Sequence, residues 1–142
     1  MLPALFDTSL YISALRRGND AIIALRHIAA DAPLWLSSVV LEELYAGAKD
    51  RKRHVIERLE RDFDKANRIL VPNLSDWTQA GKVLARLAGK YDYEQIGQGR
   101  LTNDALIAMS AARLGITVLT TNARDFSRLA EFRSFQWQVT DF

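Results

Sequence analysis

Four isolated carboxylates stand where apolar runs give way to polar or helical segments. Asp7 follows Pro3-Ala-Leu-Phe6, and Glu43 comes shortly after Leu34-Trp-Leu-Ser-Ser-Val-Val40. Asp104 precedes Ala105-Leu-Ile-Ala108, and Asp125 lies four residues past Thr121. Taken singly, Asp7, Asp104 and Asp125 fit helix capping or dipole pairing, worth roughly 0.3–1 kcal/mol each. As a joint explanation this is weaker, because the apolar flanks of Asp7 and Asp104 place those carboxylates near the core, where unpaired negative charge is expensive. Clustered carboxylates need a cation. With no Cys and two separated His, the all-oxygen donor set selects Mg2+ or Mn2+ over zinc. Such an ion lowers the pKa of a water, orients it for in-line attack on a phosphodiester and neutralises the developing charge, so no protein nucleophile is required. Ser9, Ser37, Ser38, Thr120 and Asn122 add groups able to hold water or phosphate beside it.

Acids so far apart in sequence need a scaffold that converges them. Pro3–Phe6 reads as a short buried strand that stops at Asp7-Thr-Ser, with a helix from about Ser9. Asn19 is a candidate cap for a second helix, ended by Asp31-Ala-Pro33. Leu34–Val40 reads as a strand, and the helical pattern that begins at Glu42-Glu43 runs on through Ile56, Leu59 and Phe63. Arg68–Pro72 is a further short strand, and Ser75 a candidate cap for a helix whose packed face carries Trp77, Ala80, Leu84 and Leu87. Tyr91–Arg100 reads as a flexible loop. Thr102 or Asn103 then caps a buried helix from Asp104 to Arg113, closed at Gly115. Ile116–Thr121 is a strand, Asp125–Phe132 a short helix and Ser134–Val139 an edge strand. This alternation predicts an α/β/α sandwich around a mainly parallel sheet of four or five strands. Strand-to-helix junctions of a parallel sheet share its carboxyl edge, where ligands bind, so the four acids are expected on one rim.

The 142 residues, 49% hydrophobic with 25% charged, suit one folded domain over 1–142 and exclude a disordered or fibrous chain. Met1–Asp7 lacks a basic leader region and no apolar run nears the roughly 18 residues of a membrane span, so a cytoplasmic protein is expected. The net charge is only +2, but Lys49–Arg68 holds eight basic and five acidic residues, a surplus of +3. A mixed run of this kind reads first as a solvated helix face, and beside a phosphodiester site it becomes a guide for RNA phosphates.

The chain resembles the PIN-domain ribonucleases, and within them the VapC-type toxins of bacterial toxin–antitoxin pairs. Four ordered blocks carry the resemblance: Phe6-Asp7-Thr-Ser9, Ser37-Ser-Val-Val-Leu-Glu-Glu43-Leu-Tyr-Ala-Gly47, Asn103-Asp104-Ala-Leu-Ile-Ala108 and Val118-Leu-Thr-Thr-Asn-Ala-Arg-Asp125-Phe126. It implies a PIN fold, an Mg2+- or Mn2+-dependent endoribonuclease, and Asp7, Glu43 and Asp104 as metal ligands. The Glu-Leu-x-x-Gly match selects Glu43 over Glu42. Relatives carry the fourth acid at the position of Asn122, of Asp125, or at both; Asn122 is neutral here, so the role falls to Asp125. Thr120 matches a supporting polar position. The resemblance further implies a homodimer and a cognate antitoxin that occludes the cleft.

Other residues read as structural. His27 and His54 lie in amphipathic or charged helices, and Trp35, Trp77 and Trp137 read as core or interface anchors. Leu10, Tyr11 and the Leu44-Tyr45 face suit either the core or an interface. A phosphoacceptor receiver shares the sheet class but wants an Asp where this chain has Pro72-Asn73 and a Lys where it has Asn122-Ala-Arg124. A non-catalytic binding protein with the same fold would be expected to have lost its carboxylates. A nuclease acting on DNA or on a particular nucleic-acid structure shares the metal chemistry, since no residue here marks recognition of a 2'-OH.

Overall fold

The computed structural model describes residues 2–29, 31–91 and 98–142. Along the chain come β1 (Ala4–Phe6), α1 (Thr8–Arg17), α2 (Asn19–Ile28), β2 (Leu34–Ser37), α3 (Ser38–Gly47) and α4 (Asp50–Lys65). They are followed by β3 (Ile69–Leu70), α5 (Leu74–Lys90), α6 (Gln98–Leu114), β4 (Thr117–Thr120), α7 (Ala123–Ala130) and β5 (Trp137–Val139). The five strands form one sheet in the order β3-β2-β1-β4-β5, and every neighbouring pair is parallel. β1 is central: Ala4 is in register with Leu34 on one side and Thr117 on the other, and Phe6 with Leu119. Successive strands first step outward from β1 through β2 to β3, then restart on its other side with β4 and β5. Right-handed crossovers therefore place the helices before β3 on one face and those after it on the other. The packing agrees, since α1 lies on α2 and α3, and α3 on α4, while α5, α6 and α7 pack on one another. The architecture is the expected α/β/α sandwich.

Burial on both faces explains why β1 is apolar throughout, with Ala4, Leu5 and Phe6 all buried. The ring of Tyr11 meets Phe6 edge-on at 5.7 Å between centroids, fixing α1 against β1. α6 is buried along Ala105–Ala111, as its nearly all-round apolar sequence requires. Leu10, Tyr11 and Leu44 belong to the core, whereas Trp77 is 56% exposed and Trp35 and Trp137 are only partly buried. Trp77 is thus not on the packed face of α5. No described helix is long and apolar enough to cross a membrane.

Several boundaries differ from the sequence expectation, each for a local reason. β2 stops at Ser37, whose Oγ accepts the Val39 N–H at 3.2 Å and turns Ser38–Val40 into the start of α3. The helical pattern from Glu42 is not continuous, because Ala48 and Lys49 are extended, with ψ of 137° and 155°, and divide α3 from α4. α4 folds back so that the Tyr45 hydroxyl donates to Glu60 at 2.6 Å. Gly18, not Asn19, caps α2 at φ 123°, a conformation that excludes other side chains. Asn73, not Ser75, caps α5 in a reciprocal box with Asp76. α6 begins at Gln98, six residues before Asp104, so neither Thr102 nor Asn103 caps it and the expected loop is shortened. The remainder of that loop, 92–97, lies outside the described residues. α7 starts at Ala123 behind Asn122, and β5 is three residues long.

Candidate metal centre at the sheet edge

The point where strand order reverses lies between β1 and β4, and it is there that an open parallel sheet leaves a crevice beyond its carboxyl ends. Asp7 is the residue after β1. It occupies the N-cap position of α1 yet makes no side-chain cap bond, and it is only 4% exposed. Its Oδ2 instead accepts the hydroxyls of Thr120, at 2.6 Å across the reversal, and of Ser9, at 3.0 Å. Thr120 in turn accepts the Asn122 backbone N–H at 2.9 Å, and Ser9 the Thr121 N–H at 3.4 Å. The three sequence-predicted polar residues Ser9, Thr120 and Asn122 therefore form one hydrogen-bonded train, with Asp7 receiving from two of them.

Glu43 comes from the second turn of α3, which the Ser37 cap aims at the same edge. Its Oε1 accepts the Thr8 hydroxyl at 2.8 Å, and the Asn103 side chain hydrogen-bonds to it from α6. Burial pushes the Glu43 carboxyl above its ordinary pKa, the neighbouring charges of Asp7 and Glu42 push the same way, and the two hydrogen bonds draw it partly back. Neither Asp7 nor Glu43 has a cationic partner among the described residues. Thr8 and Asn103 were not identified as Glu43 partners from sequence, although each stands directly beside an acid.

Asp104, 4% exposed, directly follows in α6 the Asn103 that hydrogen-bonds Glu43, and it does not form a three-acid group with Asp7 and Glu43 among the described residues. Asp125 is placed differently. Its Oδ2 accepts the Asn122 side-chain amide at 2.9 Å, its Oδ1 faces Arg124 at 3.4 Å, and its own N–H donates to Asn122 Oδ1 at 3.3 Å. Asp125 thus sits in the first turn of α7, capped by Asn122, and is linked to Asp7 through Asn122 and Thr120. Ser37 is occupied as the cap of α3.

Among the described residues no group of three or more Asp, Glu or His side chains stands close enough to enclose a metal ion. What the structure offers is a buried Asp7 and a part-buried Glu43 that feels its charge, with hydroxyls hydrogen-bonded to both. That donor set fits Mg2+, which binds through one or two carboxylates and fills its remaining positions with water and substrate phosphate. Zinc would want imidazole or thiolate ligands, and among the described residues no histidine joins these acids in a metal-binding group.

The chain matches the family model described as PIN domain over residues 4–132. It is 28% identical over 144 residues to the tRNA(fMet)-specific endonuclease VapC of Shigella flexneri, an alignment covering 96% of this chain and 99% of that protein. The fold is shared with DNA-bound VapBC from Salmonella typhimurium, at a TM-score of 0.68 and 22% identity over 98% of both chains. VapBC2 from Rickettsia felis, bound to a DNA fragment from their promoter, superposes with a TM-score of 0.68 at 22% identity over 99% of this chain and 100% of that one.

Proposed function

This chain belongs to the PIN-domain family, and we propose that it is a divalent-metal-dependent endoribonuclease, acting as the toxin of a toxin–antitoxin pair with residues 1–142 as its single domain. The observation that carries the reading is the Asp7–Glu43 pair. The two acids lie close enough for the Asp7 charge to act on Glu43, their partners are hydroxyls and an amide, and no described cation pairs with either. Two neighbouring acids with no protein cation beside them favour a divalent ion as their partner, one that can share its remaining positions with water and substrate phosphate.

Asp7, Glu43 and Asp104 would hold Mg2+ or Mn2+, with Asp125 contributing from the α7 side. A bound divalent ion supplies there the positive charge that acidifies water and offsets the negative charge accumulating on an attacked phosphodiester. The chain's own residues supply orientation. Ser9 and Thr120 hold Oδ2 of Asp7, and Thr8 and Asn103 hydrogen-bond to Glu43. Asn122 links the Asp7 group to Asp125 and keeps both on one edge. Because these donors sit on helix and strand ends packed into the core, the site is organised before RNA arrives. The likeness to VapC supports RNA as substrate, and the likeness to VapBC assemblies supports a protein antitoxin as partner. A homodimer and a cytoplasmic location complete the proposal.

The test is incubation of end-labelled total RNA, and in parallel single- and double-stranded DNA, with purified protein in Mg2+ or EDTA, beside Asp104→Asn. Discrete RNA fragments are expected only from the wild type with Mg2+. Cleavage that persists in Asp104→Asn at the wild-type rate would overturn the site. Cleavage confined to DNA would make the protein a deoxyribonuclease with the same centre, and no cleavage of any nucleic acid would make it a binding protein.

A further inference from the structure

The basic run Lys49–Arg68 does not act as one surface, because the fold divides it. Its first turns face a cleft of about 920 Å3 that opens beside Glu43, between the last turn of α1 and the α3–α4 junction. Arg16 joins Lys49, Arg51 and Lys52 on the rim of that cleft, and Ile12 and Leu15 lie among its apolar lining. Glu43 is its only acid among the described residues. None of those four cations has a carboxylate partner among the described residues. The later part of the run is turned to another hollow, where Arg58 faces Asp62, itself paired with Arg26 at 3.2 Å.

Resting on the nuclease reading, we infer that this cleft is the track for the single RNA strand leading away from the cleaved phosphate. Its phosphates lie on the Arg16–Lys49–Lys52 rim and its sugars and bases pass over Ile12 and Leu15. The metal centre accounts for one phosphate only, and the flanking phosphates need counter-charge. Four cations sharing one cleft with a single acid, Glu43, repel one another until further anions enter, and a chain of phosphates supplies several. The apolar lining, with Ile12 38% exposed, suits the exposed faces of a single strand better than the outer backbone of a duplex.

The test compares metal-free binding of a fluorescent single-stranded RNA, across a range of salt, by the wild type, by R16Q/K49Q/K52Q and by R58Q/R61Q/K65Q. Both triple variants lose three positive charges from solvent-facing side chains, so a general charge effect moves them equally, and melting temperatures verify that both stay folded. The cleft variant should bind more weakly and its slope of log Kd against log salt should fall by about 2, at roughly 0.7 for each phosphate of a single strand that is no longer neutralised. The distal variant should match the wild type. Equal affinity and slope for cleft variant and wild type overturns the track, as does the absence of RNA binding by the wild type. Displaceable binding of an acidic protein segment, with RNA affinity unmoved by R16Q/K49Q/K52Q, overturns it in favour of a protein site. Mg2+-dependent cleavage is scored separately. Cleft-dependent binding without cleavage leaves the track standing and removes the nuclease reading, whereas cleavage whose KM ignores the cleft substitutions does the reverse.

Discussion

A carboxyl group that burial makes reluctant to ionise is a poor choice for stability at neutral pH, and Glu43 is such a group. Its pKa in the folded chain lies above the ordinary 4.5, so folding favours its protonated form. That contribution is complete below about pH 4.5 and is lost as pH rises through the elevated value. Glu43→Gln should therefore raise the melting temperature of the metal-free protein at pH 7, with the gain disappearing at acid pH. The same variant should lose RNA cleavage and any thermal shift on adding Mg2+. A Glu43→Gln protein that melts below the wild type at pH 7 without metal would show that the acid is a structural asset instead. Thr8 and Asn103 explain how the side chain tolerates its position, since each hydrogen bond favours the charged form that a cation requires.

At the scale of elements, the second helical layer must be held in register for Asn103 and Asp104 to arrive beside Glu43. Asp76 does much of this: 3% of its side chain is exposed, it completes the cap of α5, and both its oxygens accept Arg113 Nε of α6 at 3.1 Å. Asp76→Ala should cost about 3 kcal/mol, the low end for breaking a buried pair because part of Arg113 remains in water. Urea unfolding measures it, and a loss under about 1 kcal/mol, the worth of a cap alone, would remove the pair from this role. Much of this layer was legible from sequence. The five strands, the buried α6 and the edge position of the acids all follow from apolar runs ended by polar residues. The junctions were less legible, because they are decided by single side-chain bonds. The pattern of Leu34–Val40 suits a strand until the Ser37 hydroxyl captures the Val39 amide, and Asn73 outcompetes Ser75 because Asp76 stands three residues behind it. Asp7 and Asp104 stood out by their apolar flanks and Glu43 by the Glu-Leu-x-x-Gly match, while Thr8 and Asn103, paired to Glu43 across 35 residues in the first case, left no local signature.

For the whole molecule, burial of the Glu43 carboxylate, with the Asp7 charge nearby, should weaken the fold when no cation is bound, and a bound cation should restore the difference. An ion that binds only the folded form contributes about 2.7 kcal/mol at a hundred times its Kd. For a chain of this length that corresponds to a rise of roughly 10 °C in Tm. Scanning calorimetry against millimolar Mg2+ should show a rise that grows with the logarithm of concentration, and a flat response would remove the metal centre. The hydrogen bond between Thr120 and Asp7 joins residues 113 positions apart, between the central strand and a neighbour made much later in the chain. A polypeptide emerging from the ribosome holds Asp7 and Glu43 early, yet it cannot fix the Asp7 carboxylate until β4 has slid into place beside β1. If the protein cuts RNA as proposed, unfinished copies are harmless to the ribosome and message producing them, and translation itself acts as the safety catch.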